Sequence, residues 1–232
     1  AIIPVVNEAK IIASAVDRAR ESGVDQVVVV DGGSSDDTID ICQTLTCQLV
    51  HSPAGRGIQM NAGAAVANGD VLLFLHADNW LASGSGQQIR DAAARSHGLA
   101  SFFGGFRQQI QSNRSVFRAI EFGNALRLRW RALIYGDQAF FVSRLLFEKN
   151  DGFPNIPLME DLAFSRRLKS FGRPVLLPGP TFVSARRWES NGLIRQTLLN
   201  WCLSTAFMLG VSPQWLANKY RRHDSPKTTA RS

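Results

Sequence analysis

Four short apolar runs, each ending in a polar tip, punctuate the first third of the chain. They are Ile2–Val6, the valines of DQVVVVDGGSSDDT, the weaker CQLVHS, and VLLFL at residues 71–75. Stretches with helical spacing separate them. Asn7–Glu21 sets apolar residues at Ile11, Ile12, Ala15, Val16 and Ala19 and stops at Gly23. Thr38–Thr46 opens from Ser35, Asp36 and Asp37, whose side-chain oxygens suit a helix N-cap. Gly57–Ala67 is the third helix, and Gly69 and Asp70 turn into the fourth run. Connections of this length do not make hairpins; they call for parallel strands with helices on the sheet faces. The order β-α-β-α-β-α-β therefore implies an α/β fold on a mostly parallel sheet.

Beyond residue 80 the pattern loosens. A helix over Ser85–Arg95, a strand or bent hairpin at LASFFGGFRQQI and a helix over Ser115–Trp130 with arginines along one side are expected. YGDQAFFVSRLLFEKNDGF reads as a short strand and a helix ending at Gly152, and MEDLAFSRRLKSFG as a helix closed by Gly172. PVLLPGPTFVSARRW reads as extended, Leu193–Val211 as an apolar helical segment, and the polar, basic last dozen residues as frayed. With 232 residues, 45% hydrophobic and 19% charged, the chain can bury a sizeable core without covalent staples. Cys42, Cys47 and Cys202 are odd in number and form no C-x-x-C pair. That argues against a disulfide framework or structural zinc and for a reducing, cytoplasmic setting. The opening AIIPVV lacks both a methionine and a recognisable leader, so the expectation is that a few residues of the first strand precede it. The net charge of +7 favours anionic partners, but the basic residues are spread through helices and tail rather than interleaved with aromatics on one platform. A nucleic-acid partner is therefore not expected.

The polar tips carry the candidate chemistry. PVVNEA holds Glu8, VVVDGGSSDD holds Asp31, GRGIQMNAG holds Arg56, and HAD holds His76, Ala77 and Asp78. In a parallel sheet these tips share one edge, where carboxylates, an arginine and helix N-termini suit a nucleotide and its phosphates.

The ordered series IPVVNEA, VVVDGGSSDDT, GRGIQMNAGA, LLFLHAD, YGDQAFFVSR, FEKNDGFPNIPLMEDLAFSRRL and SARRW resembles inverting family 2 glycosyltransferases of the GT-A fold over roughly residues 1–190. Within them it is most similar to a bacterial subgroup known as radical-SAM/selenodomain-associated transferases. The resemblance implies transfer of a sugar from a nucleotide-diphosphate donor, with UDP as the nucleotide, to an acceptor hydroxyl. It implies a divalent cation, Mn²⁺ or Mg²⁺, at the strand tip, where the family carries Asp-x-Asp. Here His76 stands for the first aspartate and Asp78 remains as the carboxylate ligand. One carboxylate, diphosphate oxygens and water can complete such a shell, and His76 either ligates, hydrogen-bonds the diphosphate or packs.

By the same resemblance Asp31 contacts the base, Glu8 lies near the nucleoside, Pro4 and Val6 line the base pocket, Ala77 lies by the donor, and Arg56 reaches base or diphosphate. Asp161, after Glu160 at a helix start, is the implied general base; a helix N-terminus favours the negative charge a base carries. Asp137 and Gln138 of YGDQ, with Glu160 and Trp188, are implied on the acceptor side. Arg187 is implied to clamp the diphosphate, although Ser184 replaces the glutamine that the family carries in this late element. A sugar nucleotidyltransferase is the competing enzyme class, but IPVVNEAK lacks its early Gly-rich basic signature. A non-catalytic nucleotide-sugar binding module is the other alternative.

The expected organisation is a transferase domain over residues 1–192, with a nucleotide half at 1–80 and an acceptor half at 81–192. Residues 193–232 are an apolar helical segment and basic tail of the same domain. The apolar core of that segment, Leu198–Val211, is too short to span a bilayer: about 21 Å at 1.5 Å per residue against about 30 Å of hydrocarbon. Trp201 and Trp215 near its ends, followed by Lys219, Arg221 and Arg222, suit either the inner membrane surface beside a lipid-linked acceptor or packing into the domain or a homodimer.

Overall fold

A computed structural model describes residues 1–96 and 98–224, the side chains of Arg127, Arg187 and residues 221–224 excepted. The four apolar runs become β1 (Ile2–Val5), β2 (Val28–Asp31), β3 (Gln48–His51) and β4 (Val71–Phe74), joined by α1 (Ile12–Glu21), α2 (Thr38–Thr44) and α3 (Arg56–Val66). β1 pairs in parallel with β2 and β4, and β2 with β3. The remaining elements are β5 (Asn79–Leu81), α4 (Ser85–Arg95), β6 (Phe103–Gln111), α5 (Val116–Arg131), β7 (Phe140–Ser143), α6 (Arg144–Lys149), α7 (Glu160–Leu168), β8 (Val175–Ser184), α8 (Arg186–Asn191), α9 (Leu193–Met208) and α10 (Pro213–Asp224). The strands make one eight-stranded sheet, ordered β3-β2-β1-β4-β7-β6-β8-β5. β7 runs antiparallel to both β4 and β6, β5 is antiparallel to β8, and β6 and β8 are parallel.

The unbroken apolar runs follow from burial on both faces. Successive side chains of a strand point to opposite sides. Ile3, Val29 and Leu73 enter a core with Ile12 and Val16 of α1 and Ile89 of α4. Ile2, Val28, Val30, Leu72 and Phe74 enter a second core with Met60 and Ala64 of α3 and Phe164 of α7. That second core is aromatic. Phe74, Phe140, Phe147, Phe153 and Phe164 meet mostly edge-on or tilted, with centroids 4.8–6.1 Å apart. Such contacts add about 0.5–1.5 kcal/mol each beyond burial. A smaller third core gathers Ile110, Phe117, Val183, Ala185 and Trp188.

Several boundaries differ from those expected. α1 starts at Ile12 rather than Asn7, because residues 7–9 are tied to the β2–α2 loop. Asn7 takes a left-handed backbone (φ 56°). Its N–H donates to Ser34 Oγ (2.9 Å), and its Oδ1 accepts from Ser35 N–H (2.8 Å). Phe103–Gln111 is a single nine-residue strand, not a hairpin, with a register shift between Phe106 and Gln108. SARRW leaves the extended state after Ser184 and becomes α8. Asn79–Leu81, to which the sequence pattern assigned no element, is drawn into the sheet by β8. Asp36, one of the three residues expected to cap α2, accepts from Thr38 N–H at 3.1 Å.

Among the described residues no helix is long and apolar enough to cross a membrane. α9 buries Gln196, Leu203 and Ser204 but leaves Ile194, Leu198 and Trp201 exposed. The basic side chains of Arg221 and Arg222 and the last residues, 225–232, lie outside the described residues.

Ser143 sits where β7 turns into α6, fully buried. Its Oγ accepts from Leu146 N–H (3.2 Å) as an N-cap and donates to Leu99 O (2.5 Å). Ser143→Ala leaves the Leu146 N–H without its cap, while Leu99 O keeps its bond from Phe102 N–H (3.2 Å), and is expected to cost about 1–2 kcal/mol. Urea unfolding should show a lowered midpoint at unchanged m; an unchanged midpoint would remove Ser143 from the cap.

Candidate active site

Parallel pairing sends the ends of β1, β2 and β4 out of the same edge of the sheet. Val6 emerges there as an exposed apolar side chain, after the half-buried Pro4. Asp31 ends β2, buried at 1% exposure. Its carboxylate accepts from Gly33 N–H (2.9 Å) and Ser34 N–H (3.2 Å), and His51 Nδ1 lies 3.7 Å away. Burial pushes this carboxyl up, but hydrogen bonds from the Ser34 hydroxyl and the Gly33 and Ser34 N–H groups, with His51, outweigh it and hold the group below the ordinary range. Asp31 is thus committed to its own turn. Glu8 is half-buried next to it, and its N–H donates to Thr38 Oγ1 at 2.8 Å. Gln59, which the sequence did not single out, is buried on α3. It closes this corner by donating to Val5 O (2.9 Å) and Val30 O (2.8 Å).

α3 also positions the loop that leads into α7. Asn61 pairs both ways with the Phe153 backbone, Nδ2 to O at 2.8 Å and Oδ1 from N–H at 2.9 Å. Gly57 lies against that loop so closely that a Cβ would stand 2.7 Å from Pro154 O and 3.6 Å from Glu160 Cβ. Arg56, at the start of α3, stands 3.3 Å from Glu160 Oε1, near enough for an ion pair but misaligned for a hydrogen bond. Glu160 is 1% exposed. Burial raises its carboxyl above the ordinary range; Arg56 opposes this and Asp161 adds to it. Glu160 therefore lies beneath the crevice, while Arg56 remains about half exposed at its rim.

Met159 precedes α7 in a left-handed conformation (φ 67°), which a non-glycine residue adopts only when its surroundings impose it. Asp161 follows at the helix start. Its Oδ1 accepts from Leu162 N–H (2.7 Å) and its Oδ2 from Gly136 N–H. Gly136 opens the YGDQ turn, and here the acid meets the strand tip. A Cβ on Gly136 would stand 2.7 Å from His76 Nε2 and 3.0 Å from Asp161 Oδ2. Two atoms that close to one point are less than ~6 Å apart, within the range at which a charge is felt. The same groups, with Met60, Phe74, Phe140, Phe153 and Glu160, line a small cavity of about 10 Å³, near the minimum for one water. The sequence pointed to the neighbours Asp137 and Gln138 but not to Gly136; its only signal there was a glycine three residues before Ala139, which leads into β7.

Asp78 lies in the turn after β4, held by Asn79 N–H to His76 O (3.0 Å). Its side chain is exposed and makes no hydrogen bond or ion pair among the described residues. Its oxygens are therefore open to a hard cation, and the donor chemistry fits Mg²⁺ or Mn²⁺. No three His, Cys, Asp or Glu side chains converge as a metal set among the described residues, so an ion at Asp78 would draw the rest of its shell from substrate and water. Ala77 beside it is half-buried.

Two expected acceptor contacts are corrected. Trp188 is 9% exposed, edge-on to Phe117 at 6.0 Å, and its Nε1–H donates to Thr197 Oγ1 at 3.2 Å; it packs the third core and offers no face for a sugar. Gln138 is 2% exposed, and its Oε1 accepts from Tyr135 N–H (3.1 Å), bracing the YGDQ turn from inside. Asp137 is half-buried, and its carbonyl accepts from Gln108 Nε2 at 3.3 Å. Arg187 falls on α8, and its side chain lies outside the described residues.

A model of the family described as Glycosyl transferase family 2 matches residues 1–150. Curated PGL/p-HBAD biosynthesis glycosyltransferases from Mycobacterium tuberculosis and Mycobacterium bovis are 32% identical over 159 residues, covering 64% of this chain and 54% of the relative. The chain thus spans about half the length of these curated relatives. The crystal structure of S. aureus TarS in complex with UDP aligns with a TM-score of 0.60 at 18% identity, covering 99% of this chain and 72% of that one. Glucosyl-3-phosphoglycerate synthase from Mycobacterium tuberculosis, in complex with Mn²⁺, UDP and glucosyl-3-phosphoglycerate, aligns at 0.51 with 20% identity, covering 87% and 78%. These likenesses bear out the expected GT-A-type fold.

Proposed function

The chain belongs to glycosyl transferase family 2, and from that premise we propose that it moves a sugar from a nucleotide-diphosphate donor, a UDP-sugar, to an acceptor hydroxyl with inversion. The narrower likeness to the radical-SAM/selenodomain-associated transferases rests on the motif series and belongs to the same reading. The observation that carries the reading is the meeting of Asp161 with His76 at Gly136, on the sheet edge that also holds Val6, Asp31 and Asp78.

In this mechanism Asp161 accepts the proton of the acceptor hydroxyl as that oxygen bonds to the anomeric carbon and the sugar–phosphate bond breaks from the opposite side. The Gly136 and Leu162 N–H groups fix the carboxylate, so its orientation costs nothing at the moment of reaction. His76 is read here as a neighbour of the base rather than as a metal ligand, because its Nε2 faces the point that Asp161 also faces. Asp78 would hold Mn²⁺ or Mg²⁺, which when bound supplies positive charge against the leaving diphosphate. Val6, Pro4 and Glu8 take the nucleoside end, where the buried Asp31 braces the turn; Arg56, Ala77 and Arg187 take the diphosphate, and Asp137 borders the acceptor side with Glu160 buried beneath it. Residues 1–80 thus serve the donor and 81–192, Arg187 excepted, the acceptor.

The test is a donor panel. Incubation with Mn²⁺ and a set of UDP- and GDP-sugars should release UDP from one of them, and release from none would remove the transferase reading. Calorimetric titration with UDP should show affinity that falls with EDTA in the wild type and is low and EDTA-insensitive in Asp78→Asn. Equal affinity in all four titrations would remove the metal from Asp78.

A further inference from the structure

α5 is apolar on two opposite faces. Phe117, Asn124 and Leu128 are buried on the side that meets the sheet. Leu126 is removed from its neighbours Asn124 and Leu128 by two residues, about 200° around a helix of 3.6 residues per turn. Phe122, Leu126 and Trp130 follow one another at four-residue steps and so form one stripe on the outer side. Phe122 is 71% and Trp130 78% exposed, and Leu126 39%. No element among the described residues covers this stripe.

The charge around it is one-sided. Arg114 just before the helix and Arg129 and Arg131 in its last turn are exposed, and none has an acidic partner among the described residues. The one acid on the helix, Glu121, is half-buried and spent on Arg118 (2.9 Å) and the Ile110 N–H (2.5 Å). We infer that α5 docks on an anionic membrane surface, its aromatic stripe in the interfacial layer and its arginines on lipid phosphates. Aromatic and leucine side chains on one face with arginine beside them are what a helix lying in the interface uses. A second copy of the chain fits less well, since self-pairing through α5 would set the same unpaired arginines against one another.

The placement has a consequence for the crevice. α5 runs through Leu133 and Ile134 straight into the YGDQ turn. On its inner face Asn124 Nδ2 donates to Gln108 Oε1 (2.7 Å), and Gln108 Nε2 donates to Asp137 O (3.3 Å). Docking would therefore bring the turn that holds Asp161 next to the lipid surface, where an amphiphilic acceptor would lie. The docking itself does not depend on the transferase reading, since vesicle binding is measured without any donor.

The experiment is co-sedimentation of the full chain with phosphatidylcholine vesicles, pure or containing about 30% phosphatidylserine. Wild type should pellet with the anionic vesicles at low salt, remain in solution with the neutral ones, and be released by high salt. The double variant Phe122→Glu, Trp130→Glu changes only exposed positions. It should keep the wild-type far-ultraviolet circular dichroism and thermal midpoint, yet lose at least about tenfold of the binding. A second variant, Leu198→Glu with Trp201→Glu on α9, should bind as wild type does. Wild type left in the supernatant overturns the inference, as does unchanged binding by the α5 variant, or a sedimentation-velocity dimer that the α5 variant dissolves.

Discussion

Replacing Asp161 by Asn is expected to lower sugar transfer by about 10²–10⁴-fold while leaving UDP affinity near that of the wild type. The asparagine keeps the size of the carboxylate and one acceptor oxygen; the second backbone N–H then faces the amide NH2, a local cost of about 1–3 kcal/mol that does not reach the surrounding core. What it loses is the capacity to take a proton. Because the role assigned to Asp161 concerns the acceptor hydroxyl, the loss should appear in kcat, with donor affinity by calorimetry preserved and the thermal midpoint lowered by only a few degrees (~1–3 kcal/mol for one lost backbone bond). Full turnover by the variant would take Asp161 out of the mechanism. A loss of UDP affinity instead would move it to the donor side.

Gly136→Ala should be nearly as damaging although it adds a single methyl group. The new Cβ would stand 2.7 Å from His76 Nε2 and 3.0 Å from Asp161 Oδ2, where ordinary contacts begin at about 3.4 Å. Asp161 cannot simply withdraw, because the Gly136 N–H is one of the two donors that hold it. A displacement of order 1 Å at a reacting group costs about 10²-fold in rate, and that is the expected loss in kcat. Gly123→Ala is the control. A Cβ there meets nothing within 4 Å, and alanine in a helix interior is favoured over glycine by about 0.8–1 kcal/mol, so activity should stay and stability rise slightly. Wild-type kcat for Gly136→Ala would show that the two groups meeting there are not part of the reaction.

The contrast between these residues shows how the site divides between sequence and structure. Asp161 was singled out because a Glu-Asp pair opens a helical stretch within an ordered motif series, although the helix dipole alone favours such a pair; the structure sets it against Gly136 and His76. Trp188 was equally prominent in SARRW, yet it is a core residue. Whether a tryptophan presents its face to a ligand or its edge to Phe117 depends on what the rest of the chain packs beside it. Gln138 misled for the same reason, since an amide beside an aspartate in a loop serves a ligand or braces the turn with the same atoms.

What the sequence determined by itself is whatever rests on near-neighbour chemistry and period. The apolar runs required strands buried on both faces, their spacing required parallel crossovers, and parallel crossovers required that the tips with Glu8, Asp31 and His76–Asp78 share one edge. What only the tertiary structure decided is which groups meet across long separations. β7 enters antiparallel next to β4 and thereby carries Gly136 to His76. Asn61 and Gly57 hold the loop that brings Asp161 to the same point. The outer stripe of α5 is likewise invisible in a helical period that reads the same whether one apolar face is covered or two. Local pattern fixes what each segment can be, but exposure and convergence are set by packing between segments, which one-dimensional spacing does not encode.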